Sequence, residues 1–247
     1  MVKGINRFRE YFQEYTDQYV LIGGAACDIS FENSGTVFRA TKDLDMVLVV
    51  ESLTKEFGER FWAFIKDGGY QNLQKSTGQA QFYRFSKPVD AEFPFMIELF
   101  ARTERSLPED AKLISIHIDE DVSSLSAILL NEAYYHILME RRTVIDGVSI
   151  LDATGLLLFK MKAWLDLKEK SDGGFRIQSH DIKKHRNDVI RIVSEITLDQ
   201  YTLSGDVGKD MRQFIETSDI QDQDIRNLGI RGIGAEDIRA RLAEVYL

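Results

Sequence analysis

The sequence holds one cysteine, Cys27, and three prolines in 247 residues. One cysteine excludes a disulfide within the chain and points to a reducing compartment. So few prolines, in a chain 44% apolar and 29% charged, argue against long extended linkers and for ordered globular structure. Long hydrophobic runs are missing too. Nothing approaches the roughly 20 apolar residues of a spanning helix. Residues 1–10 are mixed and charged, without the apolar core of a signal peptide. The expectation is a soluble, cytoplasmic protein.

Excess positive charge is absent as well: the net charge is −9 and the pI is near 5.1. That speaks against non-specific binding of a long duplex, and leaves room for a local basic patch at one nucleic-acid end. There is no P-loop, no glycine-rich kinase loop and no Asp-Phe-Gly. His185-Arg186-Asn187-Asp188 lacks the spacing of a kinase catalytic loop. His180 and His185, five apart, do not stack on one helix face as a metal pair would, and His117 and His136 read as structural. Cys27 has no evident base partner, which disfavours nucleophilic catalysis.

What is present reads as α+β: a mixed sheet with flanking helices, then a helical region. The expected division is 1–150 and 151–247. Aromatics spaced three and four apart predict a helix over 5–17. Tyr19-Val20-Leu21-Ile22 reads as a buried strand, Gly23-Gly24 as a turn, and 25–31 as a helix. The strongest strand is 43–50 (DLDMVLVV), followed by a helix over 55–66 and shorter strands near 70–75, 80–86, 94–100 and 112–118. Strand-like pieces near 126–130 and 134–150 contain Asp146-Gly147, a hairpin signal. Asp152 is a fair N-cap for a helix to about 170, which Ser171-Asp172-Gly173-Gly174 breaks. Further helices are expected near 181–196, 206–217 and 235–245.

Chemistry concentrates at Asp43-x-Asp45. Residues i and i+2 of a strand share a face about 7 Å apart, so these two carboxylates repel each other unless a cation bridges them. Mg²⁺ takes such oxygen ligands together with substrate phosphates. Taken alone, the pair also fits two solvated acids at a strand mouth. Upstream, Gly23-Gly24 follows a strand. Paired glycines there let backbone approach a ligand, and amides at the next helix start can hold phosphate; the plainer reading is a tight turn. Downstream, Glu98 lies within a strand (PFMIELF), where a buried acid needs a partner. A metal shared with Asp43 and Asp45 supplies one; an arginine such as Arg102 is the alternative.

In the helix over 152–170, Ala153, Leu156, Leu157, Ala163, Trp164 and Leu167 form one apolar stripe that only Lys160 interrupts. A lysine there must snorkel out or meet an anion, either a triphosphate or a nearby carboxylate. In the next helix Ile182, His185, Val189, Ile192, Val193 and Ile196 form the core stripe, with Asp188 at its edge.

A strand ending in Gly23-Gly24, a strand opening with Asp43-x-Asp45 and a third strand bearing Glu98 resemble the nucleotidyltransferase superfamily. This chain departs from it in having Glu as the third acid and a longer gap from Gly24 to Asp43. Lys160-x-x-Ala163 followed by DIKKHRND, ending at Asp188, resembles the C-terminal part of the AbiEii/AbiGii-type nucleotidyltransferase toxins. The segments fit that family in order over most of the first 190 residues; 197–247 add nothing to the likeness. The resemblance implies transfer of a nucleotide from a nucleoside triphosphate to an acceptor, for several members a tRNA end, by a toxin neutralised by an antitoxin protein. It implies Mg²⁺ (or Mn²⁺) on Asp43, Asp45 and Glu98, with Glu98 as third ligand or base. It gives Lys160 to phosphate charge and Asp188 to orienting Lys160 or the acceptor. Gly23, Gly24, Thr41 and Lys42 fall to the nucleotide; Thr41, Lys42 and Arg39 also read as the end of a loop. A catalytically silent nucleotide-binding or interaction protein of the same fold is the alternative.

Overall fold

The computed structural model describes residues 2–71, 84–101, 128 and 131–246. The chain forms two compact units: Met1–Val122 with Leu138–Asp152, and Ser123–Ile137 with Ala153–Leu247.

The first unit is built on a six-stranded mixed sheet. Its strands are β1 (Tyr19–Ile22), β2 (Asp43–Leu48), β3 (Arg84–Ser86), β4 (Met96–Ala101), β5 (Arg142–Ile145) and β6 (Val148–Leu151), in the order β3-β4-β2-β1-β6-β5. β2 pairs with β4 and β1 with β6 in parallel, and the other pairings are antiparallel. Helices α1 (Ile5–Phe12) and α3 (Lys55–Asp67) bring an aromatic cluster to one sheet face. Phe8 and Phe12 lie 5.4 and 6.1 Å from Tyr19, and Phe61 lies 5.5 Å from Phe85. These rings are fully buried, and burial of large apolar surface is the main stabilising term here. Thr54 caps α3 by accepting from the Phe57 amide at 3.2 Å.

Asp146 and Gly147 both take left-handed backbone, φ 47° and 76°, which makes the β5–β6 connection the type I′ hairpin their identities foretell. Residues 5–17 divide into α1 and a short 3₁₀ turn, Gln13–Tyr15. The strands expected at 80–86 and 94–100 are β3 and β4 where described. Of the strand near 70–75, only the Gln71–Ser86 bridge falls among the described residues. The strand near 112–118, Arg102 and His117 lie outside them.

The expectation of strand over 134–150 is overturned in its first part, because Glu132–Glu140 is a helix, α4. Tyr134, Tyr135, Ile137 and Leu138 suggest strand by composition. They are all buried, and their spacing of three and four is helical. Asn131 starts the helix, its Oδ1 accepting from the amides of Ala133 and Tyr134.

The second unit is helical: α5 (Ala153–Asp172), α6 (Ser179–Glu195), α7 (Gly205–Thr217), α8 (Asp222–Asn227) and α9 (Ala235–Tyr246). α5 is its axis. The single apolar stripe read for this helix is too narrow, since Leu158, Phe159 and Met161 are buried as well; a helix with neighbours all round hides every face. Trp164 packs edge-on against Phe214 of α7 at 5.3 Å. Residues 197–246 close around this axis. Tyr246 Oη donates to the Thr154 carbonyl at 2.6 Å, and the Tyr201 amide donates to Val245 O at 2.8 Å. Among the described residues no helix is long and apolar enough to cross a membrane.

Candidate active site

The register of the sheet decides where the acids go. Asp45 is the partner of Glu98 across the parallel β2–β4 pair, Asp43 is the partner of Met96, and Arg84 is the partner of Glu98 on the other side. Register partners project to the same face, and alternate residues return to it. Asp43, Asp45, Glu98 and Arg84 therefore share one face. Leu44, Met46, Ile97, Leu99 and Phe85 occupy the other and are buried.

Along the acid face Asp43, Asp45 and Glu98 are half-buried. Arg84 Nε donates to Glu98 Oε1 in a close ion pair, with the Glu98 side chain 17% exposed. Arg102 lies outside the described residues, and the arginine that partners Glu98 among them is Arg84. It went unnoticed in the sequence because a cross-strand ion pair becomes visible only once the register is known. Among the described residues no group of three His, Cys, Asp or Glu is gathered closely enough to hold a metal by itself. Asp43, Asp45 and Glu98 share a face without being drawn together as a triad. Mg²⁺ commonly uses one or two carboxylates plus substrate phosphates, and Asp43 with Asp45 is a donor set of that kind.

The glycine pair lies directly on this face. Both residues begin α2 (Gly23–Asn33), which starts two residues earlier than expected. Gly23 has φ +68°, and a Cβ added there would run into Asp45 Oδ2. A Cβ on Gly24 would sit 2.6 Å from Thr41 Oγ1. Only two glycines allow the start of α2 to rest on Thr41 and Asp45. Ile22, at the N-cap position, offers no side-chain cap, and the partial positive charge of the helix start favours both the Asp45 carboxylate and phosphate oxygens. Lys42 is exposed, its Nζ 5.9 Å from the centre of the Phe95 ring, and Arg39 lies over Phe38 at 5.1 Å.

Gly23→Ala should therefore lower stability by at least about 1–2 kcal/mol from left-handed strain alone, with the collision at Asp45 added. A urea midpoint measures the sum. Repeating Gly23→Ala in an Asp45→Ala background should recover the collision part and leave the strain. Equal losses in both backgrounds would mean that Gly23 does not rest on Asp45.

In the second unit Lys160 and Asp188 come together. Lys160 Nζ donates to Asp188 Oδ2 at 2.7 Å, and the two residues are 5% and 0% exposed. Lys160 thus has the carboxylate partner that was one of its two expected anions. Asp188 is not at the edge of its helix stripe as expected but in the interior. A fully buried carboxylate is tolerable there because an ammonium faces it.

No family model, curated protein or solved structure matches this chain.

Proposed function

We propose that this chain is a metal-dependent nucleotidyltransferase, moving a nucleotide from a nucleoside triphosphate to an acceptor, an RNA end. One observation carries the reading: the Gly23-Gly24 helix start rests on Asp45 and Thr41, on the sheet face that Asp43 and Glu98 share. Anion-binding amides beside two hard carboxylates suit a triphosphate with its divalent ion, Mg²⁺ or Mn²⁺. Such an ion, when bound, neutralises phosphate charge and lowers the pKa of a coordinated hydroxyl.

The chain's own residues do the rest. Asp43 and Asp45 hold the ion. The first amides of α2 hold phosphate oxygens, with Thr41 and Lys42 beside them. Glu98 acts as third ligand or base, and Arg84 governs which way its carboxylate turns. In this reading Lys160 neutralises phosphate charge and Asp188 orients it. The nucleotidyltransferase-like fold, the placement in the AbiEii/AbiGii-type toxin family, a tRNA acceptor, an antitoxin partner and a cytoplasmic setting belong to the same proposal. The fold, family, acceptor and antitoxin rest on the order of motifs along the chain, and the cytoplasmic setting on the single cysteine and the lack of long apolar runs.

The test is incubation with each labelled triphosphate, Mg²⁺ and total RNA. Label in small RNA that vanishes in Asp45→Ala supports the reading, whereas label on protein reassigns the acceptor. The Glu98–Arg84 ion pair favours a second reading, a nucleotide-binding protein of the same fold without transferase activity. Triphosphate binding with no label transferred under any condition would select it.

A further inference from the structure

The residues just before β2 and β4 form a feature of which the proposed function uses only Lys42. Phe95 precedes β4 and is 46% exposed. Phe93, two residues earlier, is 2% exposed inside the aromatic cluster. Lys42 precedes β2, and its Nζ stands 5.9 Å from the centre of the Phe95 ring. Lys87 takes a left-handed φ of 53°, and its amide donates to the Phe95 carbonyl at 3.0 Å. Both lysines are exposed. Asp43 and Met96 are register partners, so Lys42 and Phe95 lie one residue beyond that pair, at the end of the sheet where Asp43 sits. With 3.8 Å between consecutive Cα atoms and about 4.8 Å between strands, the Cα atoms of Phe95 and Asp43 are at most about 9 Å apart.

An open aromatic face costs solvation and adds nothing to the core. Two lysines beside it, on a chain of net charge −9, make a local site for something flat and anionic. A nucleobase with its phosphate has that chemistry: the base stacks on the ring and the ammonium groups meet the phosphate. We propose that Phe95, Lys42 and Lys87 form a stacking platform for a nucleobase and its adjacent phosphate, at the end of the sheet where Asp43 sits. The ligand is either the incoming triphosphate or the unpaired end of the acceptor strand. The platform's place beside a transfer site rests on the proposed function; its capacity to bind does not.

Binding without transfer is the test. Equilibrium dialysis with each of the four ribonucleoside triphosphates, and fluorescence anisotropy with a short unstructured labelled RNA, are run in Mg²⁺ on the full chain. The proteins are the wild type, Phe95→Ala, Phe95→Tyr and Lys42→Ala/Lys87→Ala. Phe95→Ala should weaken one ligand class by about 5- to 150-fold, the range of one base stacked on one ring, while Phe95→Tyr keeps it. The double lysine variant should weaken the same class. With RNA it should also flatten the dependence of log affinity on log salt by about 0.7, the value for one phosphate contact on a single strand. Loss confined to RNA assigns the platform to the acceptor, and loss confined to triphosphate assigns it to the incoming nucleotide. Because Phe95 lies outside the core, these variants should melt with the wild type.

Unchanged binding of both ligands in Phe95→Ala and in the lysine variant, or no binding of either by the wild type, overturns the platform. A chain that binds through Phe95 yet transfers no label keeps the platform and loses the transferase reading. Label transfer indifferent to Phe95, with binding also indifferent, does the reverse.

Discussion

Asp45→Asn is expected to reduce nucleotide transfer at least about 100-fold, the scale of losing a group that stabilises transition-state charge, while the melting temperature changes little, the relieved repulsion offsetting the lost attraction to the α2 N-terminus. The two effects separate because they come from different properties of one side chain. Asparagine keeps the shape on which Gly23 rests, so packing survives. It removes one of two like charges on a single strand face, which relieves repulsion in the absence of metal. It also removes the stronger of the two kinds of oxygen ligand for a divalent ion. Asp43→Asn should behave in the same way, with less dependence on Gly23. A large drop in melting temperature in metal-free buffer would make the pair a structural device rather than a ligand set. Full transfer by Asp45→Asn would end the transferase assignment to this face.

The second large effect concerns the buried pair. Lys160→Met and Asp188→Leu, each alone, should destabilise the second unit by about 3–5 kcal/mol, because each strands an opposite charge out of water. The double variant should recover most of that loss, since a well-packed apolar pair of similar volume is close to neutral in stability. Urea unfolding of all four proteins closes the cycle. Single losses that simply add in the double variant would mean that the 2.7 Å contact between Lys160 and Asp188 contributes nothing as a pair. The double variant also separates stability from chemistry. Under the proposed function it folds and yet loses transfer, because no ammonium remains to neutralise phosphate. Wild-type transfer by a stable double variant would confine Lys160 and Asp188 to holding the helices together.

Much of the architecture is legible from local pattern. Asp43 to Met46 alternate as a half-buried strand should, and the apolar run after them is buried on both faces. The aromatics of 5–17 and 55–66 recur at helical spacing, and Asp146-Gly147 announces its hairpin. Where one pattern served two structures, sequence reading failed. Tyr134, Tyr135, Ile137 and Leu138 are strand-like in composition and helical in spacing, and the Asn131 cap that settles the matter is a single side chain. The short helix α8 went unread for a related reason: a capping box between Gln221 and Asp224 holds it, and no apolar repeat announces it.

Sequence alone determined which groups are available: two carboxylates two residues apart, a glycine pair after a strand, one lysine in an apolar helix. Those features follow from local periodicity, which the order of residues encodes directly. Partnership was decided by tertiary structure. Strand register placed Glu98 opposite Asp45 and brought in Arg84. Helix packing, not helix periodicity, put Asp188 in the interior against Lys160. Pairings of this kind depend on contacts between residues far apart in the chain, and a shift of one residue in register would turn every acid to the opposite face of the sheet.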